Sequence, residues 1–294
     1  IRANRFLLTL RALTPDQVSR AVADAPCMEQ TGLPNYFDDQ RFGSVHGHGE
    51  FVARFLVHSR FEEALRTALT APYEFDRGEE KRAKQALREC WGDWAACKER
   101  LPRGHARSLV DYLLHHAGDF RGAVARLRPE LRGLYLSAYQ SHLWNRILAR
   151  WLERHVPPRC LRPVALRMGP LPFHDGVDEE TQIRLEALSL PLPSARWRPE
   201  DGDERRAMVE EVLAEEGLTL SGMQVRGVRD LFFSKGERPG LCRPGDLDHS
   251  WQPDELRPGR WKLQLAFDLP RGSYATLVVK AATGQAPEDP LDEE

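Results

Sequence analysis

Near the start of the chain the hydrophobic residues recur with a period of two: Phe6, Leu8 and Leu10 interleave with Arg5, Leu7, Thr9 and Arg11. This spacing predicts a strand over 5–11 with one face fully buried, because successive side chains of an extended chain point to opposite sides. The pattern changes at Thr14-Pro15-Asp16-Gln17. Thr14 can accept from a free backbone N–H, Pro15 suits the first helical position, and Gln17 can close a capping box, so a helix starts there with Val18, Ala21 and Val22 on its apolar face. A loop rich in breakers follows, from Gly32-Leu33-Pro34 to Gly43. Residues 49–130 carry helical spacing, with Ser59-Arg60-Phe61-Glu62 as a second capping box ahead of Phe61, Leu65, Ala68 and Leu69. The strongest stripe is Leu136, Tyr139, Leu143, Ile147, Leu148 and Trp151, which predicts a helix over 136–155.

Proline then breaks the pattern at Pro157, Pro158, Pro163, Pro170, Pro172, Pro191, Pro193 and Pro199, which predicts short strands and turns. A helix is expected over 205–216, closed near Gly217. Trp261, Leu263, Leu265 and Phe267 alternate with polar or small residues as a strand, and Leu269-Pro270-Arg271-Gly272 turns the chain. Ser273 is placed to cap a final helix that turns Tyr274, Leu277, Val278 and Ala281 inward. The expected fold class is α+β.

Length and composition narrow the field. With 294 residues and 41% hydrophobic content the chain can bury one large core or two modest ones, and 29% charged residues fit a folded, soluble protein. No run approaches the ~20 apolar residues of a membrane span, and no secretory leader opens the chain, so a cytoplasmic location is expected. Ile1 to Leu10 reads like the inside of a domain, and residues upstream of Ile1 are expected. The five cysteines are Cys27, Cys90, Cys97, Cys160 and Cys242. Their odd number points to a reducing compartment; Cys90 and Cys97 miss the C-x-x-C spacing and read as ordinary thiols. Residues 285–294 form an acidic tail; setting its five carboxylates aside turns the formal net charge from −2 to +3. Most of the cations are arginine, which suits phosphate and base contacts but also follows from a GC-rich genome.

Three blocks carry candidate chemistry. Asn35-Tyr36-Phe37-Asp38-Asp39-Gln40-Arg41-Phe42-Gly43 gathers aromatics, an arginine and amides in one loop. Such a set can stack on unstacked bases, hold phosphate and read base edges; it can equally be a loop pinned by buried rings. Ala3-Asn4-Arg5-Phe6 opens a strand and by itself is an ordinary edge-strand start. Gly272-Ser273-Tyr274-Ala275-Thr276 sits at a helix N-terminus, where an anion or a structural cap would fit. His46 and His48 have no further ligand at metal spacing and read as solvated loop histidines; no metal is expected. No phosphate-binding glycine loop is present.

Taken together, the blocks resemble the TruD family of tRNA pseudouridine synthases. The stretch at 35–43 is similar to that family's signature, Leu136–Asn145 to its long helix, Asn4-Arg5-Phe6 to its Gly-Asn-x-Phe strand, and Leu269–Thr276 to its C-terminal motif. The resemblance runs in order from Asn4 to about Ala282. Ala3 and Asp38 stand where the family has glycine. The family's nucleophilic aspartate belongs to a Gly-x-Lys-Asp motif upstream of the Asn-x-Phe strand; no such motif occurs here, so it is expected N-terminal to Ile1 and no catalytic residue is assigned within the chain.

The resemblance implies a pseudouridine-synthase-like mixed sheet with helices, to which 1–30 and 250–284 contribute, and a large inserted TruD-type domain over 31–249. It implies isomerisation of a flipped-out uridine, usually the one at tRNA position thirteen, with no cofactor. Asn4, Phe6, Asn35, Phe37, Gln40, Arg41 and Ser273 are the expected substrate-binding residues. The partner is tRNA and the protein is expected to be a monomer. The alternatives are a non-catalytic RNA-binding protein or an inactive fragment of a synthase.

Overall fold

The computed structural model describes residues 3–45, 49–73 and 76–284. The acidic tail and the His46/His48 pair lie outside the described residues. The chain opens with β1 (Ala3–Leu13) and α1 (Pro15–Thr31), and the capping box at Thr14 and Gln17 forms as its residues demand. Gly32 ends α1 at φ +76, and a Cβ there would come within 2.9 Å of the Cys242 carbonyl, so glycine is required where β2 (Leu33–Pro34) leaves the helix. Six helices then fold on one another: α2 (Val52–Val57), α3 (Phe61–Thr70), α4 (Gly78–Cys90), α5 (Trp94–Arg100), α6 (His105–His115) and α7 (Phe120–Ala125). After them comes α8 (Pro129–His155), which starts about two turns before the apolar stripe because Pro129 occupies its first position.

Short elements follow, as the prolines require: β3 (Leu161–Val164), β4 (Leu171–His174), α9 (Glu179–Ala187), β5 (Ser189–Pro191), α10 (Glu204–Glu215), β6 (Glu237–Pro239) and β7 (Leu241–Cys242). The chain closes with β8 (Gly245–Pro253), β9 (Trp261–Pro270) and α11 (Ala275–Thr283). The largest sheet has the order β1-β9-β8, and the pairs β2-β7, β3-β4 and β5-β6 are separate; every pairing is antiparallel among the described residues. Sheet and helices together make the α+β class. Register in the main sheet places Phe6 opposite Phe267, with ring centroids 5.8 Å apart.

Four expectations need correction. The inward face of β1 is half-buried, not fully buried: Phe6, Leu8 and Leu10 lie on an edge strand, while α1 packs chiefly against α11, β8 and β9. Ser59 does not cap α3. It adopts φ +58 and its N–H bonds the Leu56 carbonyl, so it ends α2, and Arg60 takes the cap position. Ser273 does not cap α11 either; Tyr274 occupies that position and the Ser273 hydroxyl turns to Asn35. Cys90 and Cys97 are not separate thiols: the turn between α4 and α5 brings their Cα atoms to 5.5 Å and they are joined as a disulfide. Spacing rules for metal and redox motifs do not detect that approach, because it depends on how two helices pack.

Candidate active-site cleft

The loop at 35–43 is held from below by α8. Asn145 uses both ends of its amide on Phe37: Oδ1 accepts from the Phe37 N–H at 2.8 Å and Nδ2 donates to its carbonyl at 2.8 Å. Trp144 meets the Phe37 ring edge-on, with centroids 5.5 Å apart. Phe37 is buried yet presents part of its ring to a cleft of ≈ 340 Å³ that Phe6, Gln40, Arg41, Arg238 and Ser273 also line. Asn35 lies underneath, with its N–H and Nδ2 satisfied by the Gly240 and Pro239 carbonyls at 2.8 and 3.1 Å. Its Oδ1 accepts from Ser273 at 3.2 Å and from Arg238 at 2.7 Å. Asn4 is exposed on β1, two residues before Phe6 on the same face, and is not among the lining residues.

Arg238 was not singled out by sequence. It sits in Gly236-Glu237-Arg238-Pro239-Gly240, a run that reads only as a turn. The pairing of β6 with β5 carries it under the loop, where its guanidinium lies 4.3 Å from the Phe37 ring centroid and 5.3 Å from that of Trp144. It donates to the carbonyls of Asn35 and Gly272, each at 2.8 Å, tying the loop to the turn before α11. Burial pulls its pKa down to about 10, so it remains a cation at neutral pH. Arg41 adds a second guanidinium, 5.2 Å from Phe37, whose buried Nε has no hydrogen-bond partner. No carboxylate side chain lines the cleft among the described residues, so its two cations face it uncompensated.

Asp38 and Asp39 turn away from the cleft. Asp38 is 1% exposed and accepts from Lys280 Nζ of α11 at 2.6 Å, and Thr276 donates to its other oxygen. Lys280, itself 1% exposed, reaches Asp39 at 2.7 Å as well. The two cleft walls are thus joined by the buried ion pair of Asp38 and Lys280.

A family model described as tRNA pseudouridine synthase D (TruD) matches residues 1–164 and 173–282. The chain belongs to the tRNA pseudouridine synthase D family. "Probable tRNA pseudouridine synthase D 1" of Methanococcus maripaludis is 30% identical over 283 residues, which cover 94% of this chain and 71% of that protein. The tRNA pseudouridine synthase D of Aquifex aeolicus is 29% identical, covering 95% of this chain and 69% of the relative. A crystal structure of the TruD protein from Methanosarcina mazei superimposes with a TM-score of 0.73 at 26% identity, covering 98% of this chain and 70% of that one. The chain therefore spans about seven tenths of the length of these relatives.

Proposed function

We propose that this chain carries the base-binding cleft of a tRNA pseudouridine synthase and that uridine at tRNA position thirteen is its target. The family's activity is isomerisation of uridine to pseudouridine in tRNA, and the observation that carries the reading is the cleft formed by Phe6, the 35–43 loop and the turn before α11. Isomerisation breaks N1–C1′, forms C5–C1′ and releases the C5 proton, so the base has to be held while it rotates. It first has to leave the stack. Phe6, backed by Phe267, offers one face for the uracil; Arg41 and Gln40 offer donors for its carbonyls or the flanking phosphate. Ser273, Asn35 and Phe37 shape the wall, with Arg238 locking them together.

In this reading Asn4, upstream of Phe6 on β1, orients the catalytic aspartate or binds the flipped uridine. The aspartate in this reading comes from a Gly-x-Lys-Asp motif, which the 294 residues do not contain, and it would meet a cleft lined by cations with no carboxylate side chain among the described residues. A carboxylate acting on ribose or base needs neither metal nor cofactor. Residues 1–30 and 250–284 form the catalytic unit in this reading and 31–249 the inserted one. In the same reading the protein acts as a monomer in the cytoplasm, the compartment of its tRNA partner. No helix among the described residues is long and apolar enough to cross a membrane.

The test is release of tritium from tRNA transcripts carrying uridine labelled at C5. No release by this chain and release by a version extended upstream is the expected pair. Release by the chain alone would overturn the placement of the aspartate. Silence from both, with tRNA still bound, would leave a non-catalytic RNA-binding protein.

A further inference from the structure

A second groove, of ≈ 810 Å³, lies between the segment after β5 and the segment before β6, with Arg196, Trp197, Arg198, Arg206, Leu220 and Phe232 among its walls. Phe232 is the anomaly. Its neighbours Leu231 and Phe233 are buried, yet its own ring is 61% exposed. A lone exposed aromatic would mean little, but here the Arg196 guanidinium lies 4.5 Å from the ring centroid. The backbone on either side of the groove is held as well: Arg196 donates to the Phe233 carbonyl, and Gln140 of α8 donates to the carbonyls of Pro193 and Ser234, each at 2.9 Å.

The charge around the ring is predominantly positive. Arg196, Arg198 and Arg206 stand on one side, and the turn between the lining residues Val225 and Leu231 adds exposed Arg226 and Arg229. Glu210, bound to Arg206 at 2.9 Å, and Asp230 are the acids among them. An exposed ring on a hydrogen-bonded backbone, flanked by guanidinium groups, is the chemistry that takes an unpaired nucleotide: the base stacks on the ring and the arginines meet phosphate. The groove also has a physical link to the cleft. Phe232 and Arg238 are six residues apart on one chain, so their Cα atoms are no more than about 22 Å from each other.

We infer that Phe232 is a stacking platform for an unpaired nucleotide of the same tRNA whose uridine enters the cleft. This rests on the tRNA reading above. The platform adds affinity and register rather than chemistry, so its loss acts on binding.

The test is binding of this chain to an unmodified tRNA transcript, with unpaired positions replaced one at a time by fluorescent 2-aminopurine. Phe232→Ala is expected to weaken binding by roughly five- to a hundred-fold, Phe232→Trp to preserve it, and Phe232→Leu to behave like alanine. One probe position should be quenched on the unaltered chain and brighten in Phe232→Ala, with the melting temperature of the protein unchanged because the ring is exposed. If the unaltered chain binds and Phe232→Ala binds equally with the same quench, the platform is overturned while the tRNA reading stands. If the unaltered chain binds no transcript, both fall.

Discussion

Burying a carboxylate such as Asp38 costs several kcal/mol unless a cation joins it, and removing one partner of such a pair leaves that cost exposed. Lys280→Met should therefore destabilise the chain by about 3–5 kcal/mol in urea melts. Lys280→Met with Asp38→Asn should regain most of the loss; a double variant as unstable as the single one would mean that packing, not charge, is at stake. The structure shows how Asp38 is accommodated: a lysine 242 residues away in sequence reaches it. Phe6 is a different case. Its ring is half-buried, so Phe6→Ala should cost under about 2 kcal/mol of stability while tritium release in an active, upstream-extended version falls far more. Equal losses would return Phe6 to a packing role.

At the scale of elements, α8 organises both the cleft and the second groove. Asn145 holds Phe37, Trp144 Nε1 donates to the Leu190 carbonyl at 3.2 Å, and Gln140 pins the lips of the second groove. Its outer face is clamped to α10 by Arg146, Arg150 and Arg154 against Glu211, Glu215 and Glu216. Asn145→Ala leaves the Phe37 N–H and carbonyl without their partner and should cost about 1–3 kcal/mol, with faster hydrogen exchange at the Phe37 amide as the direct readout.

The same helix carries His142, whose ring lies 4.8 Å from Phe51 and whose pKa burial lowers to about 4. The unfolded chain then binds the extra proton between about pH 6.5 and 4, so folding stability falls as pH drops through that window. Because the side chain keeps some solvent contact, the contribution is on the order of 2 kcal/mol. His142→Gln should flatten the fall between pH 6.5 and 4; parallel curves for the two proteins would remove His142 as the cause.

For the whole molecule, the formal charge of −2 conceals a cation-lined cleft and groove, with the acidic tail accounting for much of the negative charge. Phosphate contacts release counterions, so tRNA affinity should fall log-linearly with salt, and Arg41→Ala should reduce the slope by about one if Arg41 meets a phosphate. An unchanged slope with weaker binding would assign Arg41 to the base.

Local pattern alone determined the strand at Phe6–Leu10, the capped helix after Thr14, the long helix through Leu136–Trp151 and the strand at Trp261–Phe267, because periodicity and capping act over a few residues. The motif blocks likewise announced the family and pointed to Phe6, Phe37, Gln40, Arg41 and Ser273, which do gather around one cleft. Tertiary structure decided what was not local. Arg238 lies in a run that reads as a turn and becomes central only when β6 pairs with β5. Lys280 closes the loop because α11 packs behind it, and Ser273 leaves its helix to bond Asn35. Each of these depends on contacts between residues more than two hundred positions apart in sequence, or on a pairing that no window of ten residues contains. A buried charge or an orphaned donor is defined by what surrounds it, and only the folded chain supplies those surroundings.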